Sequence, residues 1–184
     1  MDTAHTGPTG PTGPETPYDR RPLLFLDVDG PLIPFGSPHG HSVHAAPGTA
    51  DPSGCHPLLA RADPALGPRL AALPCELVWA TTWGEDANLC LSPRLGLPAL
   101  PVVEWPEPSA TDGRGAVHWK TGGLVTRAAG RAFAWVDDEI GDADRRWVSG
   151  HHPGPALLHR VDPRIGLGNA DFTVLEAWLR AHGA

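Results

Sequence analysis

The chain has 184 residues, 41% of them apolar, and a formal charge of −7, which allows one domain with a real core and leaves too little for two. That charge argues against a broad electrostatic grip on nucleic acid or anionic lipid, while leaving room for a local basic groove. Three cysteines, Cys55, Cys75 and Cys90, show no CxxC spacing, so neither a disulfide framework nor a zinc ribbon is suggested and a reducing compartment is expected. No apolar run approaches the length of a membrane span, and the start of the chain lacks the basic-then-apolar order of a signal peptide. The expectation is a cytoplasmic protein with no membrane association and no obligate protein partner.

Residues 1–20 repeat Gly-Pro-Thr and carry almost nothing that could be buried, which predicts a disordered tail ahead of one domain over 21–184. Leu23-Leu24-Phe25-Leu26-Asp27-Val28 is a short apolar run closed by Asp29-Gly30-Pro31, as expected of a strand buried on both faces of a parallel sheet. Residues 31 to about 62 are rich in Pro, Gly and His without periodicity and read as a long loop or flap. Asp63-Pro64 then opens a helix with Leu66, Leu70 and Leu73 on one stripe.

Leu77 to Ala80 predicts a second strand running into Thr81-Thr82, and Glu85 to Leu91 a helix stopped before Pro93. Leu100 to Val103 offers a weaker strand, and a Gly-rich polar stretch follows from Ser109 to Gly115. A short helix over Thr121 to Ala129, a strand over Ala132 to Val136, another over Ala156 to His159 and a closing helix over Asp171 to His182 complete the pattern, the last presenting Val174, Leu175 and Trp178. Alternating elements of these lengths predict an α/β fold with a doubly wound, Rossmann-like parallel sheet.

In an open parallel sheet, ligands bind beyond the carboxyl ends of the strands. Asp27 and Asp29 follow the first predicted strand, Thr81 and Thr82 the second, and Asp137 with Asp138 the later one, while Lys120 precedes a helix. These residue types suit phosphoryl transfer, in which a carboxylate can take the phosphoryl group and the charge must be neutralised. A carboxylate cluster invites a hard cation such as Mg²⁺, an ammonium would hold phosphoryl oxygens, and a hydroxyl could donate one more hydrogen bond. Lys120 is the only lysine beside thirteen arginines, so lysine is not serving as general surface charge.

Asp27-Val28-Asp29-Gly30 after an apolar strand resembles motif I of the haloacid dehalogenase (HAD) superfamily, Thr81 its motif II, Lys120 its motif III and Asp137-Asp138 its motif IV. Val78-Trp79-Ala80-Thr81-Thr82-Trp83, His118-Trp119-Lys120-Thr121 and Trp135-Val136-Asp137-Asp138-Glu139 further resemble a small subgroup related to the HAD module of modular RNA-repair proteins. The resemblance implies a Mg²⁺-dependent phosphatase of the HAD fold. Asp27 would be its nucleophile and Asp29 its acid/base, with Thr81 and Lys120 stabilising the transferring group. The metal ligands would be Asp27, the Asp29 backbone carbonyl and Asp138, with Asp137 as second ligand or support. Motif II usually continues with Gly or Asn where Thr82 and Trp83 stand, so either Thr81 or Thr82 is the candidate for phosphate contact, and Gly30 is a further candidate for substrate contact.

The spacers between motifs are too short for a large cap domain, which implies a minimally capped site open to a small phosphorylated molecule, a nucleic-acid end or a protein phosphoester. A phosphotransferase or phosphomutase using the same intermediate, and a binding module that keeps the fold without catalysis, are the competing expectations. His39, His41, His44 and His56 have no regular ligand spacing with Cys55 and are read as loop residues. Trp83 and Trp119 border motif positions and are candidates to stack on a flat leaving group.

Overall fold

The computed structural model describes residues 21–45, 55–105 and 117–183. The Gly-Pro-Thr tail, the middle of the long loop and the stretch from Ser109 to Gly115 lie outside the described residues. Strands β1 (Leu23–Leu26), β2 (Glu76–Trp79), β3 (Phe133–Asp137) and β4 (Ala156–Arg160) form one parallel sheet in the order β2-β1-β3-β4. All four residues of β1 are buried, as a central strand with no polar side chain requires. Successive side chains of a strand point to opposite faces, so Leu23 and Phe25 join one core layer and Leu24 and Leu26 the other.

Helices α3 (Lys120–Ala128) and α4 (Asp142–His151) cover the first face; α1 (Leu66–Ala71), α2 (Ser92–Leu95) and α5 (Asn169–His182) cover the second. Parallel strands with helices on both faces make the architecture α/β and Rossmann-like. Because β2 and β3 lie on opposite sides of β1, the loops leaving β1 and β3 diverge and open a crevice beyond the carboxyl ends of those two strands.

Several local expectations are revised. The helix expected to stop before Pro93 instead passes through a π turn at Ala87–Leu91 into α2, where Pro93 sits in the first turn and its missing N–H is not needed. Gly96, at φ 66°, ends it. The weak third strand is reduced to a single bridge between Trp79 and Val102; the Trp79 N–H donates to the Pro101 carbonyl, but Pro101 has no N–H to extend the ladder. The helix expected from Asp63 begins only at Leu66, after a turn in which Asp63 accepts from the Ala65 N–H. α5 buries Phe172, Leu175 and Leu179 and leaves Val174 exposed, so its apolar stripe is rotated from the expected one. α4 occupies a stretch for which the sequence predicts no element.

The cysteine reading is also corrected: Cys55 and Cys90 form a disulfide, Cα to Cα 5.9 Å, and only Cys75 is free. The bridge ties the end of the long loop to the π turn, removes the cysteine argument for a reducing compartment and leaves Cys55 no role with the loop histidines. Nearby, Asn88 accepts from the Trp79 indole and the Leu100 N–H and donates to the Leu100 carbonyl. Gly67 lets α1 approach α2 so closely that a Cβ there would fall 1.6 Å from the Leu95 carbonyl oxygen. Among the described residues no helix is long and apolar enough to cross a membrane.

Candidate active site

Periodicity delivers three charges to one place. Asp27 is the next same-face position after Leu23 and Phe25, Asp137 the next after Phe133 and Trp135, and the register pairs Phe25 with Trp135 across β1 and β3. Both carboxylates therefore leave neighbouring strands on the same face. α3 lies on that face and buries Lys120, Leu124 and Ala128, a spacing of four that forms one stripe. The result is a buried triad in which Lys120 Nζ lies 2.8 Å from Asp27 Oδ2 and 2.9 Å from Asp137 Oδ2.

The triad is held from every side. The Trp135 indole and the Lys120 ammonium both donate to Asp137 Oδ2, and the Glu139 N–H donates to Oδ1. Asp137 is thus committed to orienting Lys120. Asp27 Oδ1 accepts the Val28 N–H at 2.8 Å. Asp138 turns the other way, toward the loop after β1, and its backbone is fixed by the Arg160 Nε donating to its carbonyl at 2.8 Å. Carboxylate oxygens of Asp27, Asp137 and Asp138 all lie within 4.8 Å of one another.

Gly30 makes that approach possible. Its φ is +84°, and a Cβ on it would meet Asp138 Oδ1 at 2.6 Å, so both backbone conformation and space exclude a larger residue. Its N–H donates to the Ile33 carbonyl, and the absence of a side chain leaves the space that Asp138 takes.

Burial raises Asp27 most strongly; the Lys120 ammonium opposes this and the Asp137 charge adds to it, leaving the carboxyl pushed up to about 7. Burial and Asp137 likewise raise Asp138. Burial alone would lower Lys120, but Asp27 and Asp137 outweigh it and hold the ammonium above its ordinary value. The pocket therefore carries more negative charge than its one ammonium offsets.

Asp29 points across the crevice, where its Oδ2 accepts the Trp83 indole N–H at 3.0 Å. Thr81 is fully buried at the end of β2; its hydroxyl accepts the Trp83 N–H and its carbonyl the Trp105 indole N–H. Thr82 is exposed. Asp27, Lys120, Asp137 and Asp138 are brought together, while the described hydrogen bonds of Thr81 go to Trp83 and Trp105.

No family model, curated protein or solved structure matches this chain.

Four supporting residues have no role assigned to them from the sequence. Trp135 had a usable signal, since it stands two residues before Asp137 on the same strand face. Trp105, and His118 with Glu139, paired at 3.0 Å beside the triad, had none, because their contacts cross long sequence separations. Trp83, a stacking candidate from the sequence, also donates its indole N–H to Asp29.

Proposed function

We propose that the chain is a Mg²⁺-dependent phosphohydrolase of the HAD type, acting on phosphomonoesters through an aspartyl-phosphate. The observation that carries this reading is the Asp27–Lys120–Asp137 triad beside Asp138 at the carboxyl end of a parallel sheet. The donor set fits a hard cation: three clustered carboxylates, a glycine that leaves room for one of them, and an Asp29 carbonyl that no described backbone N–H takes. Asp27, Asp138 and the Asp29 carbonyl would hold Mg²⁺, which when bound supplies charge neutralisation for the phosphoryl oxygens. Asp137 stands behind Lys120 instead.

In the proposed reaction the Asp27 carboxylate forms a bond to phosphorus as the ester P–O bond breaks. The leaving oxygen takes a proton from Asp29. Because the Trp83 indole occupies Asp29 Oδ2, Oδ1 is the oxygen left to carry that proton. In the second half Asp29 removes a proton from water, the water oxygen bonds to phosphorus, and Asp27 is released with inorganic phosphate. Lys120 holds the nucleophile in place and stabilises charge on the transferring group. An exchangeable proton donor at position 29 suits poor leaving groups, and the described part of the β1–β2 connection contains only a 3₁₀ turn, Pro57–Arg61, and α1, consistent with a minimal cap.

The test is hydrolysis of p-nitrophenyl phosphate with Mg²⁺ and with chelator. Activity should require the metal, and Asp27→Asn should lower kcat by about 10³-fold or more while circular dichroism stays native. Full turnover in that variant would refute the nucleophile.

A further inference from the structure

Trp119 exposes 43% of its surface, and a single exposed indole needs no explanation by itself. This one is immobilised. It packs edge-on against Trp105 with ring centroids 4.8 Å apart, and Trp105 is anchored by its indole N–H on the Thr81 carbonyl at 3.0 Å. His118 flanks it at 5.6 Å between centroids and is itself paired with Glu139. Two anchored neighbours thus fix the plane of a ring that remains open to solvent.

Its position matters as much as its rigidity. The Trp119 ring centroid is 5.7 Å from Lys120 Nζ, and that ammonium is 2.8 Å from Asp27 Oδ2. A phosphoryl group gripped by Lys120 and presented to Asp27 would carry its ester substituent within reach of the indole. Fixed aromatic faces hold flat π systems by stacking, without demanding a particular hydrogen-bond pattern. Trp83, the other tryptophan bordering a motif, is committed to Asp29 and packs near His56.

We propose that Trp119 is the platform for the leaving group, and that the site takes phosphomonoesters bearing a flat π system, aryl ring or nucleobase, within a few bonds of the ester oxygen. This rests on the phosphohydrolase reading above.

The experiment compares phenyl phosphate, a nucleoside 5′-monophosphate and glycerol phosphate with Mg²⁺ in the native protein, Trp119→Leu and Trp119→Phe. Intrinsic leaving-group reactivity cancels when each variant is compared with native on the same ester. Trp119→Leu should lose about tenfold more kcat/KM on the flat esters than on glycerol phosphate, chiefly through KM, and Trp119→Phe should recover most of it. Loss confined to phenyl phosphate assigns an aryl leaving group, and loss confined to the nucleotide a nucleobase. Equal loss on all three esters overturns the platform. If the native protein hydrolyses none of them, the phosphatase reading falls first. Calorimetric binding of the same esters to Asp27→Asn, with and without Trp119→Leu, then decides separately: an aromatic preference abolished by Leu supports the platform, and no preference sinks it.

Discussion

On the α3 and α4 side of the sheet, the apolar rows Leu23 and Phe25, Phe133 and Trp135, and Ala128 and Leu124 run out into Asp27, Asp137 and Lys120; on the other side Leu24 and Leu26 continue into Val28 and remain apolar. The same β1 strand therefore feeds a layer that ends in buried charge and a layer that does not. Buried ion pairs recover little more than their desolvation cost, whereas buried apolar surface is a net gain. The buried ion triad is thus confined to one end of one layer, while the opposite layer stays apolar along β1 and reaches the carboxylate cluster only on β3, where Ala134 and Val136 lead to Asp138.

The largest effect expected is from Lys120→Met. It strands Asp27 and Asp137 without a counter-ion and should cost about 3–5 kcal/mol in urea unfolding; a loss under 1 kcal/mol would mean that the triad is solvated and the two layers less different than argued. On the opposite layer, Cys90→Ser opens a ring spanning 35 residues of sequence separation and should remove about 3–4 kcal/mol on the chain-entropy account, read from the same titration. Gly67→Ala drives a methyl into the Leu95 carbonyl and should cost up to about 3 kcal/mol; a neutral result would show that α1 and α2 can separate.

Asp27→Asn sharpens the contrast by running the other way. The folded protein holds this carboxyl near 7, above the ordinary value of 3.8, so the native state binds the proton more tightly than the unfolded chain. Ionising Asp27 therefore costs stability as pH rises through that window, and the cost is fully present above it. In metal-free buffer at pH 8 the variant should be more stable than native, with the gap closing as pH falls from about 7 toward 4. A destabilised Asn variant at pH 8 would contradict the charge balance. Smallest of all, Ala129 holds φ 50° at the end of α3, and Ala129→Gly should raise stability by about 0.5 kcal/mol, measurable as a small rise in Tm.

Much of this arrangement is legible along the chain because it is periodic. Alternation places Asp27 and Asp137 on one face, and the spacing from Lys120 to Leu124 to Ala128 places the ammonium opposite them. What stays hidden is either aperiodic or remote. α4 combines buried Val148 and Asp144 with exposed Arg145, Arg146 and Ser149, too thin a stripe to announce a helix, and its clearest sign is Asp144 accepting from the Gly141 N–H at its start. The Cys55–Cys90 bridge and the Trp83 contact to Asp29 each join distant positions that no local pattern relates. Gly67 looks like any glycine until the Leu95 carbonyl is placed against it.

Lys120 is the sole lysine in the chain and is nearly inaccessible at the first residue of α3. A lysine-specific endoprotease consequently has one peptide bond to cut, and reaching it requires that helix to open at its first turn. The rate of that single cleavage is a clock for local opening of the crevice beyond β1 and β3, free of background from every other part of the molecule.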